Sequence, residues 1–74
     1  MNLEKSFGEE LRKARELAGL SQEKLGFESG YHPTYVSQLE RGIKSPTLKA
    51  IFSLAKAVGL RPSQMLKNVE IRLK

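Results

Sequence analysis

Residues Gly19–Gly42 read GLSQEKLGFESGYHPTYVSQLERG, and their spacing decides the fold. Counting from Gln22, Leu25 and Gly26 fall fourth and fifth, Gly30 ninth, and Val36 and Leu39 fifteenth and eighteenth. Leu25, Val36 and Leu39 supply apolar faces on which two short helices can meet. Gly26 puts no side chain where such helices come closest. Gly30 can take the positive φ that a tight turn between them requires. Ser21 is placed to cap the first of the two. Pro33 opens the second at a position where its missing N–H costs nothing, and Gly42 stops it.

On either side of this stretch the pattern stays helical. Phe7, Leu11, Ala14 and Ala18 share one face of a helix predicted from about Ser6 to Ala18, capped by Ser6 and ended by Gly19. Glu9 and Glu10 are expected to favour its positive end. Thr47 opens a fourth helix whose apolar positions are Leu48, Ile51, Phe52, Leu54, Ala55 and Val58, closed by Gly59. Pro62 opens a short fifth toward Leu66. The fold class is therefore all-α, five compact helices, with a domain at 1–67, its central motif at about 22–41, and a tail at 68–74.

The tail admits two readings. Val69, Ile71 and Leu73 alternate with Glu70, Arg72 and Lys74, the period of a half-buried strand, whereas Leu66, Val69 and Leu73 recur at helical spacing. The β-branched Val69 and Ile71 favour the strand. A lone strand in a helical monomer has no partner, so its expected mate is the same tail of a second subunit.

Composition narrows the function classes. The chain has 74 residues, room for one domain and one modest core, and none for a further sensing or catalytic domain. It has no cysteine, which excludes disulfides and thiolate metal sites. No apolar run is long enough to span a bilayer, and the charged start MNLEKSFGEELRK is unlike a signal peptide. Charge is uneven. Residues 1–40 carry five cations against seven glutamates, while 41–74 carry eight against Glu70 alone, within a net +5. A basic C-terminal half suits a polyanion.

An enzyme is disfavoured by inventory. There is no aspartate, and His32 is the single histidine, so neither a Ser-His-Asp nor a Cys-His arrangement can be built. No metal, cofactor or small-molecule substrate is expected. His32 reads as an exposed helix cap rather than a ligand or base. Tyr31 and Tyr35 could stack on single strands, but the favoured reading has them padding the surface, with the Tyr35 hydroxyl offered to a phosphate. Met65 reads as core or interface filler.

The chain resembles the Cro/cI-type (XRE, lambda-repressor-like) helix-turn-helix DNA-binding family. The residues that carry the likeness are LRKAR at Leu11–Arg15, AGLSQEKL at Ala18–Leu25, YVSQLERG at Tyr35–Gly42, SPTL at Ser45–Leu48 and LAKAVGLRPSQML at Leu54–Leu66. They span nearly everything between Phe7 and Leu66. Gly26 departs from the family's usual alanine, a change expected to be sterically mild and to weaken its helix by roughly 1 kcal/mol. Pro33 departs from a polar residue and removes one potential base contact.

The resemblance implies that the helix beginning at Pro33 enters the major groove of duplex DNA. Val36 and Leu39 face inward, so Pro33, Thr34, Ser37, Gln38 and Arg41 lie on its outer side. Pro33, Thr34, Ser37 and Gln38 are the base-reading candidates. Gln38 leads them because its amide can bond both N6 and N7 of adenine. Gln22, His32, Tyr35, Arg41, Lys44 and Lys49 are the candidate phosphate contacts, which hold register without reading sequence. Arg15 and Glu40 match a family pair that joins the first and third helices, a structural role.

The function so implied is sequence-specific transcriptional regulation, with repression favoured over activation. The partners are double-stranded DNA and a second copy of the chain, bound to a pseudo-palindromic operator. The expected setting is the cytoplasm and nucleoid of a prokaryotic or phage-infected cell, away from membranes. Two alternatives stand beside this. One is the antitoxin or accessory subunit of a toxin–antitoxin pair, whose main task is to hold a protein partner. The other is the controller of a restriction–modification system.

Overall fold

The computed structural model describes residues 2–74. Five helices follow one another: α1 (Leu3–Leu17), α2 (Gln22–Ser29), α3 (Pro33–Glu40), α4 (Leu48–Ala57) and α5 (Pro62–Leu73). Among the described residues there is no strand. α1 packs on α3 and α5, α2 packs on α3 and α4, and α4 closes on α5. Phe7, Leu11, Leu25, Val36, Leu39, Leu54, Met65 and Val69 meet in one core with Ala50 and Ala55.

Local chemistry explains most of the boundaries. Ser21 Oγ accepts the N–H of Lys24 at 3.0 Å, and Thr47 Oγ1 accepts that of Ala50 at 3.0 Å. Each satisfies a donor that the start of a helix leaves unpaired. Pro33 and Pro62 stand in the first turns of α3 and α5. Gly30 ends α2 at φ +84°.

The expected start, cap and acidic first turn of α1 are corrected. α1 starts at Leu3, not Ser6, and its cap is Asn2, whose side chain accepts the Lys5 N–H at 2.7 Å. Ser6 lies inside the helix, fully buried. Glu9 and Glu10 consequently sit beyond the first turn, and their role is different. Arg72 reaches back from α5, bonding Glu9 at 3.0 Å and also Glu10.

The tail is not a strand. Residues 69–73 continue α5, because Met65 and Val69, four apart on one face, are both buried in the core. Burial of a 3.6-period face and the Arg72 bridge override the β preference of Val69 and Ile71. Within α4 only part of the expected face is inside. Leu48 and Phe52 are 70% and 56% exposed, and Ala18 of the first predicted face is exposed as well.

Close approach, not conformational freedom, explains two glycines. A Cβ on Gly8 would stand 2.6 Å from the Glu40 carbonyl oxygen and closer still to that of Leu39. The middle of α1 thus rests directly on the last turn of α3. At Gly26 a Cβ would run into the Tyr31 carbonyl oxygen. Glycine there is more than a mild departure from alanine, since this turn is tighter than a methyl group permits.

Candidate nucleic-acid interface

α3 turns one face outward because its opposite side is anchored. Val36 and Leu39 have no exposed surface. Thr34 and Arg41 are exposed, and Pro33, Ser37 and Gln38 are half-buried around them. Pro33, Thr34, Ser37 and Gln38 lie in α3, and Arg41 follows directly as its C-cap. His32 caps the leading end, its Nδ1 accepting the N–H of Thr34 at 3.0 Å. The Tyr35 ring is half-buried and packs on Tyr31 with centroids 5.0 Å apart. Lys44 and Lys49 are exposed, one in the loop after α3 and the other in the first turn of α4. Ser45 ties that loop to α1, its hydroxyl donating to Glu4 at 3.0 Å.

Behind that outer face one carboxylate joins three helices. Glu40 accepts Arg15 Nε at 2.6 Å, Arg15 Nη2 at 3.1 Å and Gln22 Nε2 at 3.0 Å. Arg15 also donates through Nη1 to the Leu20 carbonyl at 2.9 Å. The two charged side chains retain only 12% and 3% of their exposure. A buried carboxylate is tolerated here because charged and neutral donors meet both of its oxygens. The hydrogen bond to Glu40 raises the Arg15 pKa above its ordinary value despite the opposing effect of burial, so the guanidinium stays charged.

Sequence reasoning missed the Gln22 contact. A glutamine assigned to phosphate also spends one amide hydrogen inside the protein. The Arg72 bridge is not legible in the sequence either, because 62 residues separate Arg72 from Glu10. Arg72 falls every third or fourth residue in line with Met65 and Val69, and that alignment was the available signal.

Comparison with known proteins agrees with this geometry. A family model described as helix-turn-helix matches residues 11–65. The control protein C.BamHI of Bacillus amyloliquefaciens is 39% identical over 66 residues, which is 88% of this chain and 82% of that protein. Among solved structures, the clp gene regulator ClgR of Corynebacterium glutamicum superposes with a TM-score of 0.93 at 27% identity, covering 99% of this chain and 78% of that one. The restriction-modification controller protein C.AhdI of Aeromonas hydrophila gives a TM-score of 0.80 at 41% identity, covering 82% and 92%. The chain belongs to the XRE-type helix-turn-helix family of DNA-binding transcriptional regulators.

Proposed function

We propose that this regulator binds a pseudo-palindromic duplex operator as a homodimer and is a controller of the restriction–modification type. The observation that carries the DNA reading is the outer face of α3, where Thr34, Ser37 and Gln38 stand over a helix held by Glu40. The likeness to C.BamHI and C.AhdI supports the controller type. Repression is the favoured sign of regulation, and the place of action is the cytoplasm, at the chromosome. No helix among the described residues is long and apolar enough to cross a membrane.

Gln38 reads adenine, Thr34 offers a methyl or hydroxyl to a neighbouring pair, and Pro33 and Ser37 line the same groove wall. Gln22 keeps a second amide hydrogen for a phosphate at the start of α2, where helix N–H groups also favour an anion. Tyr35, Arg41, Lys44 and Lys49 complete the backbone contacts. A single α3 spans only a few base pairs, so two copies on a twofold axis would read half-sites about 34 Å apart. Exposed Leu3, Leu66 and Leu73, around the outer side of α5, support a self-association surface.

Selection of bound sequences from random duplex DNA tests the reading. Enrichment of two inverted half-sites about one helical turn apart is expected, with two chains per duplex by analytical ultracentrifugation. Recovery of unselected sequence would refute specific binding. For the controller type, the bound sequence is expected beside the genes of a restriction endonuclease and a methyltransferase.

A further inference from the structure

α5 is held in two different ways along its length. Met65 and Val69 are buried in the core. Beyond Val69 no apolar side chain is buried: Glu70, Ile71, Leu73 and Lys74 are exposed, and Arg72 alone is half-buried. The last turn of a helix frays when nothing ties it down. Here the tie is Arg72, whose Nη1 donates to Glu9 at 3.0 Å and whose Nε donates to Glu10. The Glu10 side chain keeps only 10% of its exposure, so salt screens this pair less than it would a surface bridge.

The same turn brings Leu73 to a groove that begins at the other end of the chain. Leu3 of α1 lines it together with Leu66, Lys67, Glu70 and Leu73 of α5. The three leucines are 57%, 41% and 44% exposed. Ser63, Leu66, Glu70 and Leu73 recur at spacings of three, four and three, the stripe along which one helix packs on another. The charges on this stripe suit a second copy of itself. In an antiparallel pair of α5 helices centred between Asn68 and Val69, Lys67 stands opposite Glu70 of the partner subunit. Twofold symmetry makes that match of unlike charges twice.

We infer that Arg72 is a positioning residue for self-association: its bridge to Glu9 and Glu10 seats the last turn of α5 on α1, and so sets Leu73 in the groove with Leu3 for a second copy to cover. This rests on the homodimer proposed above. The apolar strip draws on both helices, so it is complete only while their ends are tied. Bridge and association are therefore linked. A seated turn lowers the ordering cost of association, and a covered Leu73 keeps the turn seated.

A double-mutant cycle tests this, with the dimer dissociation constant of the full chain measured by sedimentation equilibrium. Arg72→Met keeps a long, helix-favouring side chain and removes every donor. Leu73→Gln changes an exposed position. Each single variant is expected to weaken association about five- to tenfold, and the two together no more than either alone, because Arg72 acts through Leu73. Arg72→Lys should fall between parent and Arg72→Met, since an ammonium lacks the fork that meets two carboxylates. Losses that add, or parent-like association of either folded variant, overturn the inference.

Amide exchange in the parent protein gives a measurement that needs no variant. Protection of residues 70–73 is expected to rise with protein concentration, in step with dimer formation. Protection independent of concentration overturns the inference, even where Arg72→Met fails to fold. A parent that stays monomeric at every concentration overturns both this inference and the homodimer reading, whereas a dimer indifferent to Arg72 overturns this inference alone.

Discussion

The Arg15 guanidinium meets the Glu40 carboxylate with two N–H groups, Nε at 2.6 Å and Nη2 at 3.1 Å, and so locks α1 to the last turn of α3. Glu40→Ala would leave that guanidinium nearly buried with no carboxylate and free the Gln22 amide. We expect a loss of about 3 kcal/mol in folding stability, the cost of stranding one member of a buried pair. Urea denaturation measures it, and a midpoint equal to that of the parent would contradict the role.

Ser6 gives the opposite sign. Its hydroxyl is buried without a hydrogen-bond partner in the first turns of α1. Ser6→Ala removes an unsatisfied polar atom and adds a better helix former, so stability should rise by about 1 kcal/mol. A lower urea midpoint would show that the hydroxyl is satisfied in solution.

Gly8→Ala is expected to run against helix propensity. In an open helix the change stabilises by about 1 kcal/mol. Here the added methyl meets the carbonyl oxygens of Leu39 and Glu40, so α1 and α3 must separate. Net destabilisation by more than about 1 kcal/mol is expected, within the range for overpacked positions. A stabilised variant would mean that the helices part freely.

Gln38→Ala and Lys44→Ala should fail in different ways. The first should cost about 1–3 kcal/mol on the preferred duplex and little on random DNA. The second should weaken all duplexes alike and flatten the dependence of log affinity on log salt by about one unit. Exchange of these two behaviours would reassign both residues.

Leu66→Gln tests the proposed self-association surface. Leu66 is 41% exposed on α5 and outside the buried core, so the substitution should leave the fold intact. Sedimentation equilibrium should show the dimer dissociating at higher protein concentration than the parent. Identical association would move the interface elsewhere, with Phe52 on α4 the next residue to substitute.

Features that depend on a few neighbouring residues are legible in the amino-acid sequence itself. Ser21, Thr47, Pro33 and Gly30 each act within one turn of chain, and their roles follow from local bonding. The core positions Leu25, Val36 and Leu39 follow from spacing. Misreadings arise where distant contacts decide. Ser6 and Asn2 are both good capping residues, and only packing shows that Ser6 is interior. Residues 69–73 are too few to separate a period of two from one of 3.6, and the arbiter is the core beneath Val69. Of the outer face of α3, the outward placement of Thr34 and Gln38 is legible. The diversion of Gln22 to Glu40 is not, because one amide serves two neighbours that sequence cannot rank.

With α1, α2 and α3 all bonded at Glu40, α3 has little freedom to tilt against its supports. Adaptation in the complex then falls to the other partner. Base steps that roll or twist at low cost will be favoured even at positions no side chain reaches, and stiff tracts there will be penalised. For the proposed twofold complex, operator preference should therefore extend into the DNA between its two half-sites, where the selectivity belongs to the mechanics of the double helix.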